Sequence, residues 1–426
     1  MENAIIVGVE LKDSKYSIDY TLDELERLAE ASEINVVGRV SQKLDSINPK
    51  FYIGTGKVTE IKNMATALDA TIIIFDDELS PSQLRNLEKE LDLAILDRSL
   101  LILNIFAQRA NTTEAILEIR LARLKYMLPR LVGANKSLSR QGGSSSLASK
   151  GSGEKQIELD RRKISNEIVL LEEKLKAIKQ NRESQRTKRE KTDIPIVSLV
   201  GYTNAGKSTT FNTILKYSQH KNDKVVMEKD MLFATLGTSV RNVKLPNNQQ
   251  ILLIDTVGFV SKLPTTLINS FRSTLEEINN SALIIHVVDS SSPHCKDQID
   301  VTNKVLEEIG VKNSKELYLL NKADKGIDKH FFINKNHLKF SNKNGLNHDK
   351  LITLIQESVL DYSNTLLDLN IPISDGKAIS IVEGYGIIEA KFISNENIYY
   401  KAYIPNNLIN NLKQYYYFKT NNPKPF

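Results

Sequence analysis

The chain is poor in the features that mark secreted or membrane proteins. It holds one cysteine, Cys295, which excludes an intramolecular disulfide framework and fits a reducing compartment. Its opening residues, MENAIIVGVELK, lack a basic start and a sustained apolar run, so no secretory signal is expected there. The longest apolar stretches, Leu100 to Ala107 and Ala282 to Val288, fall well short of the ~20 residues that cross a bilayer. Acidic residues are also missing from one segment. Pro129 to Gly153 carries Arg130, Lys136, Arg140 and Lys150 and no Asp or Glu. What remains is a chain of 426 residues with mean hydropathy −0.29, enough for about two to four domains with real cores.

The charge is unevenly spread. Residues 109–191 contain 20 Lys/Arg against 10 Asp/Glu, while the whole chain is only +5. Such a concentration is the electrostatic footprint of a nucleic-acid partner. On charge alone a solvated helical face accounts for it equally well.

Periodicity divides the chain into four parts. In residues 1–110, strand-like runs (Asn3 to Leu11, Asn35 to Leu44, Thr71 to Asp76, Leu93 to Asp97) alternate with amphipathic ones (Thr21 to Ala31, Lys57 to Leu68, Ser80 to Leu91, Ser99 to Ala107). That alternation predicts a small α/β domain with a largely parallel sheet. Within 111–192, Leu117, Leu121, Leu124 and Leu128 form one apolar stripe, and Ile157, Ile164, Ile168, Leu171, Leu175 and Ile178 form another. Two stripes joined by a basic, Gly/Ser-rich loop at about 129–153 predict an antiparallel helical hairpin. Composition alone would make that loop a plain linker, but a linker has no reason to be uniformly basic.

Residues 193–360 read as a nucleotide-binding domain with a mostly parallel sheet and flanking helices. Residues 361–426 read as a small α+β domain, with short strands between Thr365 and Tyr403 and a final helix over Pro405 to Tyr417. The aromatics Tyr415, Tyr416, Tyr417 and Phe418 have the chemistry to stack on bases, although core packing is the simpler account. The expected fold class is therefore α/β and multidomain.

Chemistry concentrates in the third part. Gly201-Tyr202-Thr203-Asn204-Ala205-Gly206-Lys207-Ser208, followed by Thr209, is a complete G-x-x-x-x-G-K-[ST] loop between an apolar run, Ile194 to Val200, and a helical one. Successive amides there can cradle phosphates, with Lys207 on the β/γ-phosphates and the Ser208 hydroxyl on Mg²⁺. Asp255-Thr256-Val257-Gly258 follows a second apolar run. Asp255 would hold Mg²⁺ through water, and the Gly258 amide can approach a γ-phosphate.

Asn321-Lys322-Ala323-Asp324 follows a third apolar run, and its carboxylate can accept both N–H groups on the guanine edge, which adenine does not offer. Ser341-Asn342-Lys343 would support the base. Thr235, in Phe233-Ala234-Thr235-Leu236, is the candidate switch threonine for Mg²⁺ and the γ-phosphate, with Thr238 and Ser239 as rivals. The catalytic candidates are Lys207, Thr235 and Gly258. Where Ras-like switches place a water-orienting glutamine, this chain has Phe259, so hydrolysis by the chain alone should be slow and partner-stimulated.

Together these residues resemble the HflX-type GTPases. The resemblance rests on GYTNAGKST, FATL, DTVGF and NKAD, on LPTTLINSFRSTLEE (263–277), and on FDDELSPSQLRNLE, DRSLLILNIFAQRA, LEIRLARLKYMLPRL and GEKQIELDRR upstream. It implies GTP/GDP and Mg²⁺ as ligands and the 50S subunit, the 70S ribosome and rRNA as partners. It also implies a role in splitting or rescuing stalled or idle ribosomes under stress. The chain would be a monomer in the cytoplasm, ribosome-associated, with peripheral membrane association left open and no integral membrane segment. Lys136, Arg140, Lys150 and Lys155 become candidates for rRNA contact, since phosphate contacts dominate such affinity.

Three departures from the family pattern stand out. Lys150 and Ser152 replace the loop's usual arginine and proline, Asn342 stands where alanine is usual, and Gly237 follows FATL in place of aspartate. Two other readings stay open: an rRNA-binding anti-association factor gated by nucleotide with little turnover, and ATP-dependent RNA remodelling at Gly54-Thr55-Gly56-Lys57. For that short motif, a turn capping a helix is the simpler account.

Overall fold

The computed structural model describes residues 2–14, 16–131, 149–190, 194–217, 239–262, 276–311, 314–326 and 334–417. The chain divides into two compact units. One comprises Met1–Lys179 with Asp230–Gly237 and Ser261–Ser273, and the other comprises the remainder.

The first unit alternates strands and helices: β1 (Glu2–Leu11), α1 (Ile18–Ala31), β2 (Ile34–Leu44), α2 (Thr55–Ala67), β3 (Ile72–Phe75), α3 (Pro81–Leu91), β4 (Ala94–Asp97) and α4 (Arg98–Arg109). The strands form one parallel sheet in the order β2-β1-β3-β4. β3 reads Ile-Ile-Ile-Phe and is buried throughout, as a central parallel strand covered on both faces must be. α3 starts where Ser80 and Gln83 form a reciprocal capping box ahead of Pro81. β4 ends in Asp97, whose carboxylate caps α4 by accepting from the Leu100 amide at 2.9 Å.

α5 (Thr113–Met127) and α6 (Ser149–Glu190) follow. On α6 the stripe from Ile164 to Ile178 is the less exposed face: Leu171 is buried, while Val169 and Leu170 beside it are open. Two expectations are corrected. Helix α6 begins at Ser149, inside the stretch read as loop to 153. The ion pairs Arg120–Glu167 and Lys125–Glu172 both advance by five residues, whereas an antiparallel pair would have one number fall as the other rises. An apolar seam shows that two helices pack and does not set their direction.

The second unit holds β5 (Ile196–Val200), α7 (Lys207–Lys216), β6 (Ser239–Lys244), β7 (Gln250–Asp255), β8 (Ser281–Asp289), α8 (Cys295–Glu308), β9 (Lys315–Asn321), β10 (His337–Lys339) and α9 (His348–Ser363). These strands make a six-stranded sheet, order β10-β9-β8-β5-β7-β6, parallel except for edge strand β6. Its core runs from Val197 and Leu199 on β5 through Phe211 and Ile214 on α7 to Leu351 and Ile355 on α9. β5, β7, β8 and β9 all point their C-terminal ends the same way, which is where an open parallel sheet binds ligands.

The chain then forms β11 (Asn364–Pro372), α10 (Gly376–Tyr385), β12 (Ile387–Ile393) and β13 (Asn397–Pro405), an antiparallel sheet in the order β11-β13-β12 with its own core around Ile371, Val382 and Tyr400. α10 was hidden by the strand-like β-branched residues Ile379, Ile381 and Val382, yet Asp375 caps it by accepting from the Ala378 amide at 3.0 Å. The expected final helix is replaced by short 3₁₀ turns, Asn406–Asn411 and Lys413–Tyr415. Tyr415 and Tyr416 pack against this core, and Tyr417 meets Tyr399 edge-on. Phe418 lies outside the described residues. Among the described residues no helix is long and apolar enough to cross a membrane.

Candidate functional site: a phosphate loop braced by a base-reading end

The site forms at the C-terminal ends of β5, β7 and β9. β5 delivers the chain into Gly201–Gly206, and α7 begins at Lys207. Two glycines there are obligatory. Gly201 has φ +144°, and an added Cβ would lie 2.2 Å from the Val287 carbonyl oxygen. Gly206 has φ +98°, and its added Cβ would meet Asn321 Nδ2 at 2.2 Å.

Lys207 is almost fully buried and donates to the carbonyls of Gly201 (3.1 Å) and Tyr202 (2.9 Å). Burial pulls its ammonium down to about 8, with Asp255 opposing the shift. Ser208 Oγ donates to Asp255 Oδ2 at 2.8 Å, which places a hydroxyl beside a buried carboxylate, the hard-oxygen donor set that suits Mg²⁺. Thr209 continues α7, its carbonyl accepting from Thr213 Oγ1 at 3.0 Å.

The second motif lies against the loop. Thr256 is buried and donates to the Leu199 carbonyl at 2.7 Å, anchoring the end of β7 to β5. Val257 is buried next to it. At Gly258 an added Cβ would stand 2.9 Å from Lys207 Nζ and 2.8 Å from Thr203 Cγ2, so only a glycine leaves that space open. Phe259 is stapled to the loop by its backbone: its amide donates to Gly201 O (3.2 Å) and its carbonyl accepts from Thr203 N (2.8 Å). Its side chain is buried, so the residue in the glutamine position supplies neither a polar group nor a surface to water. Below the loop, burial takes the His286 imidazole down to about 3, which leaves it neutral at physiological pH.

The third motif does two jobs. Asn321 donates to the Ala205 carbonyl at 2.7 Å and accepts from the Asn342 amide at 3.3 Å. Asp324 accepts from Ser341 Oγ at 2.6 Å, and that bond holds its carboxyl below the usual range. Lys322 pairs with Asp289 at 2.8 Å. The Asn342 side chain turns toward α7, donating to Thr210 Oγ1 and accepting from Thr213 Oγ1, both at 3.0 Å. Lys343 is exposed, close enough to Asp324 to lower its carboxyl.

Asp289, Thr210 and Thr213 went unnoticed in the sequence. Asp289 ends the apolar run of β8, and that strand-end carboxylate was the available signal. Thr235, Lys136 and Arg140 lie outside the described residues, while Lys150 and Lys155 fall on α6, where only the backbone is described. Gly54 to Lys57 is accounted for locally. Gly54 precedes α2 and donates to Gln42 Oε1 at 2.9 Å, and Lys57 pairs with Glu60.

Three family models match the chain: "GTP-binding GTPase N-terminal" over 19–107, "GTP-binding GTPase Middle Region" over 109–189 and "50S ribosome-binding GTPase" over 196–322. A GTPase HflX from Lacrimispora saccharolytica is 40% identical over 96% of this chain and 95% of its own length. This chain belongs to the HflX family of GTPases. Another family member, from Flavobacterium psychrophilum, is 44% identical over 76% of each chain. The Escherichia coli member is 38% identical over 76% of this chain and 73% of its own. The protein is thus a GTP-binding enzyme of the phosphate-loop class. The three models stop at residue 322, before Asp324, the Ser341 turn and the C-terminal sheet.

Proposed function

We propose that this GTPase binds the large ribosomal subunit and uses its nucleotide cycle to split or rescue stalled or idle 70S ribosomes, with the ribosome stimulating hydrolysis. In this reading Lys207 contacts the β/γ-phosphates, Gly258 contacts the γ-phosphate, and Asp324 with Ser341 to Lys343 reads guanine. Ser208, Asp255 and Thr235 would hold Mg²⁺, which neutralises the developing phosphate charge. Lys136, Arg140, Lys150 and Lys155 would meet rRNA.

The observation that carries the proposal is Phe259. With its ring buried and both backbone groups committed to Gly201 and Thr203, Phe259 offers no side chain to orient the attacking water. A ribosome-supplied group or a ribosome-induced rearrangement would answer that need, and the match to a family described as "50S ribosome-binding GTPase" supports a ribosomal partner.

The test is GTP turnover with and without purified 50S subunits, for the wild type and for a double Arg140→Ala, Lys150→Ala variant. Strong stimulation of the wild type and a clearly smaller one of the variant is expected. Equal stimulation of both would remove rRNA contact by these side chains, and none for either would remove the ribosome as activator.

Phe259 also favours a second reading, a nucleotide-gated anti-association factor with little turnover. Subunit splitting that proceeds unchanged with a non-hydrolysable GTP analogue would assign the mechanical step to binding and leave hydrolysis for release.

A further inference from the structure

Two residues past Phe259 the chain enters a different chemical environment. Ser261 and Lys262 belong to the first unit, where they meet a buried charged cluster formed by α1, the end of β3 and the start of α4. Arg98, 1% exposed, donates to Asp76 Oδ1 at 2.6 Å, to Glu24, and to Ser261 Oγ at 2.9 Å. Ser261 also donates to Glu24. Lys262 Nζ lies 2.5 Å from both Asp76 Oδ2 and Asp77 Oδ1, and Tyr52 donates its hydroxyl to Asp77. Lys262 has φ +53°, a left-handed backbone that few non-glycine residues adopt.

The charges explain the fit. Among the described residues, Arg98 pairs with Glu24 and Asp76, and Lys262 pairs with Asp76 and Asp77, so Asp76 is shared by both cations. Even with both cations present, burial leaves the Asp76 carboxyl above its usual range. Withdrawing Lys262 would remove the cation that pairs with both Asp76, which is buried, and the partly exposed Asp77.

We infer that Ser261 and Lys262 are positioning residues for GTP hydrolysis, the Glu24–Asp76–Asp77–Arg98 cluster being the anchor that fixes where the segment carrying Gly258 and Phe259 ends. Neither residue reaches a phosphate in this role. They act through the chain: backbone bonds to the phosphate loop hold Phe259, side-chain bonds hold Ser261 and Lys262, and the stretch between has little freedom. Gly258, beside Lys207 Nζ, therefore keeps its place without a contribution from the Phe259 side chain.

The test is intrinsic single-turnover hydrolysis at saturating GTP without ribosomes, so it stands apart from the ribosomal proposal, with the affinity for GDP measured in parallel. Lys262→Met keeps the aliphatic stem and should lower the hydrolysis rate about tenfold while GDP affinity stays within about twofold. Lys262→Arg should restore the rate. The half-exposed partner Asp77→Asn should give a smaller loss in the same direction, and the double variant should fall short of the sum of the two. If Lys262→Met does not fold, Ser261→Ala and Asp77→Asn carry the same rate test. An unchanged rate, a faster one, or a loss confined to nucleotide affinity would overturn the inference.

Discussion

Two buried cations, one in each unit, are treated in opposite ways. Arg98 in the first unit is surrounded by Glu24, Asp76 and the Ser261 hydroxyl, a set that neutralises it. Lys207 in the second unit faces two backbone carbonyls and, among the described residues, forms no ion pair of its own, so burial pulls its ammonium down to about 8. A buried charge that is fully answered by its own chain holds structure together. One left short of countercharge marks a candidate ligand site, and in the proposed function a nucleotide's phosphates would supply what Lys207 lacks.

The contrast can be broken at either end. The largest effect is expected for Arg98→Met, which strands Glu24 and Asp76 in the interior and should cost about 3–5 kcal/mol of stability, read by chemical denaturation of the full chain. A loss below about 1 kcal/mol would mean that the cluster is not a structural ion centre. Lys207→Ala should do the reverse: GTP affinity drops roughly thirtyfold to a hundredfold, while the melting temperature without nucleotide stays put. A variant that melts early would show Lys207 to be structural and end the comparison.

The smallest effect is in the pH dependence. The free-state Lys207 ammonium titrates at about 8, and bound phosphates must raise that value, so binding takes up a proton above it. GTP affinity should be flat from pH 6 to 7 and weaker by about threefold to fivefold at pH 8.5, measured against Lys207→Arg, which keeps its charge throughout. Identical profiles for the two proteins would mean that Lys207 is charged across the whole range.

The two regions also differ in how far they could be read from sequence. The phosphate loop was legible because eight consecutive residues, Gly201 to Ser208, carry it between a buried strand and a helix. Asn321 to Asp324 stood out because it closes an apolar strand, and Ser341 to Lys343 by its distance beyond that motif. The anchor cluster was not: Ser261 and Glu24 lie 237 positions apart, and neither sits in a local pattern that marks a partner. Direction failed for a related reason, since the stripes on α5 and α6 specify faces and leave the sense of packing to ion pairs such as Arg120–Glu167. α10 was missed because its β-branched residues outweighed a one-residue cap. Phe259 was noticed for the glutamine it replaces, but its backbone role as a staple has no signature in the side-chain alphabet.

Asn321 and Asn342 carry a consequence for release of the spent ligand. One holds the Ala205 carbonyl and the Asn342 amide together, and the other grips Thr210 and Thr213 one helical turn inside α7. Under the proposed assignment, the grip on the base and the grip on the phosphates would share these fasteners. In the proposed nucleotide site, a shift of the 341–347 turn would therefore be felt at both ends of the ligand, much as one hinge pin serves both leaves of a gate.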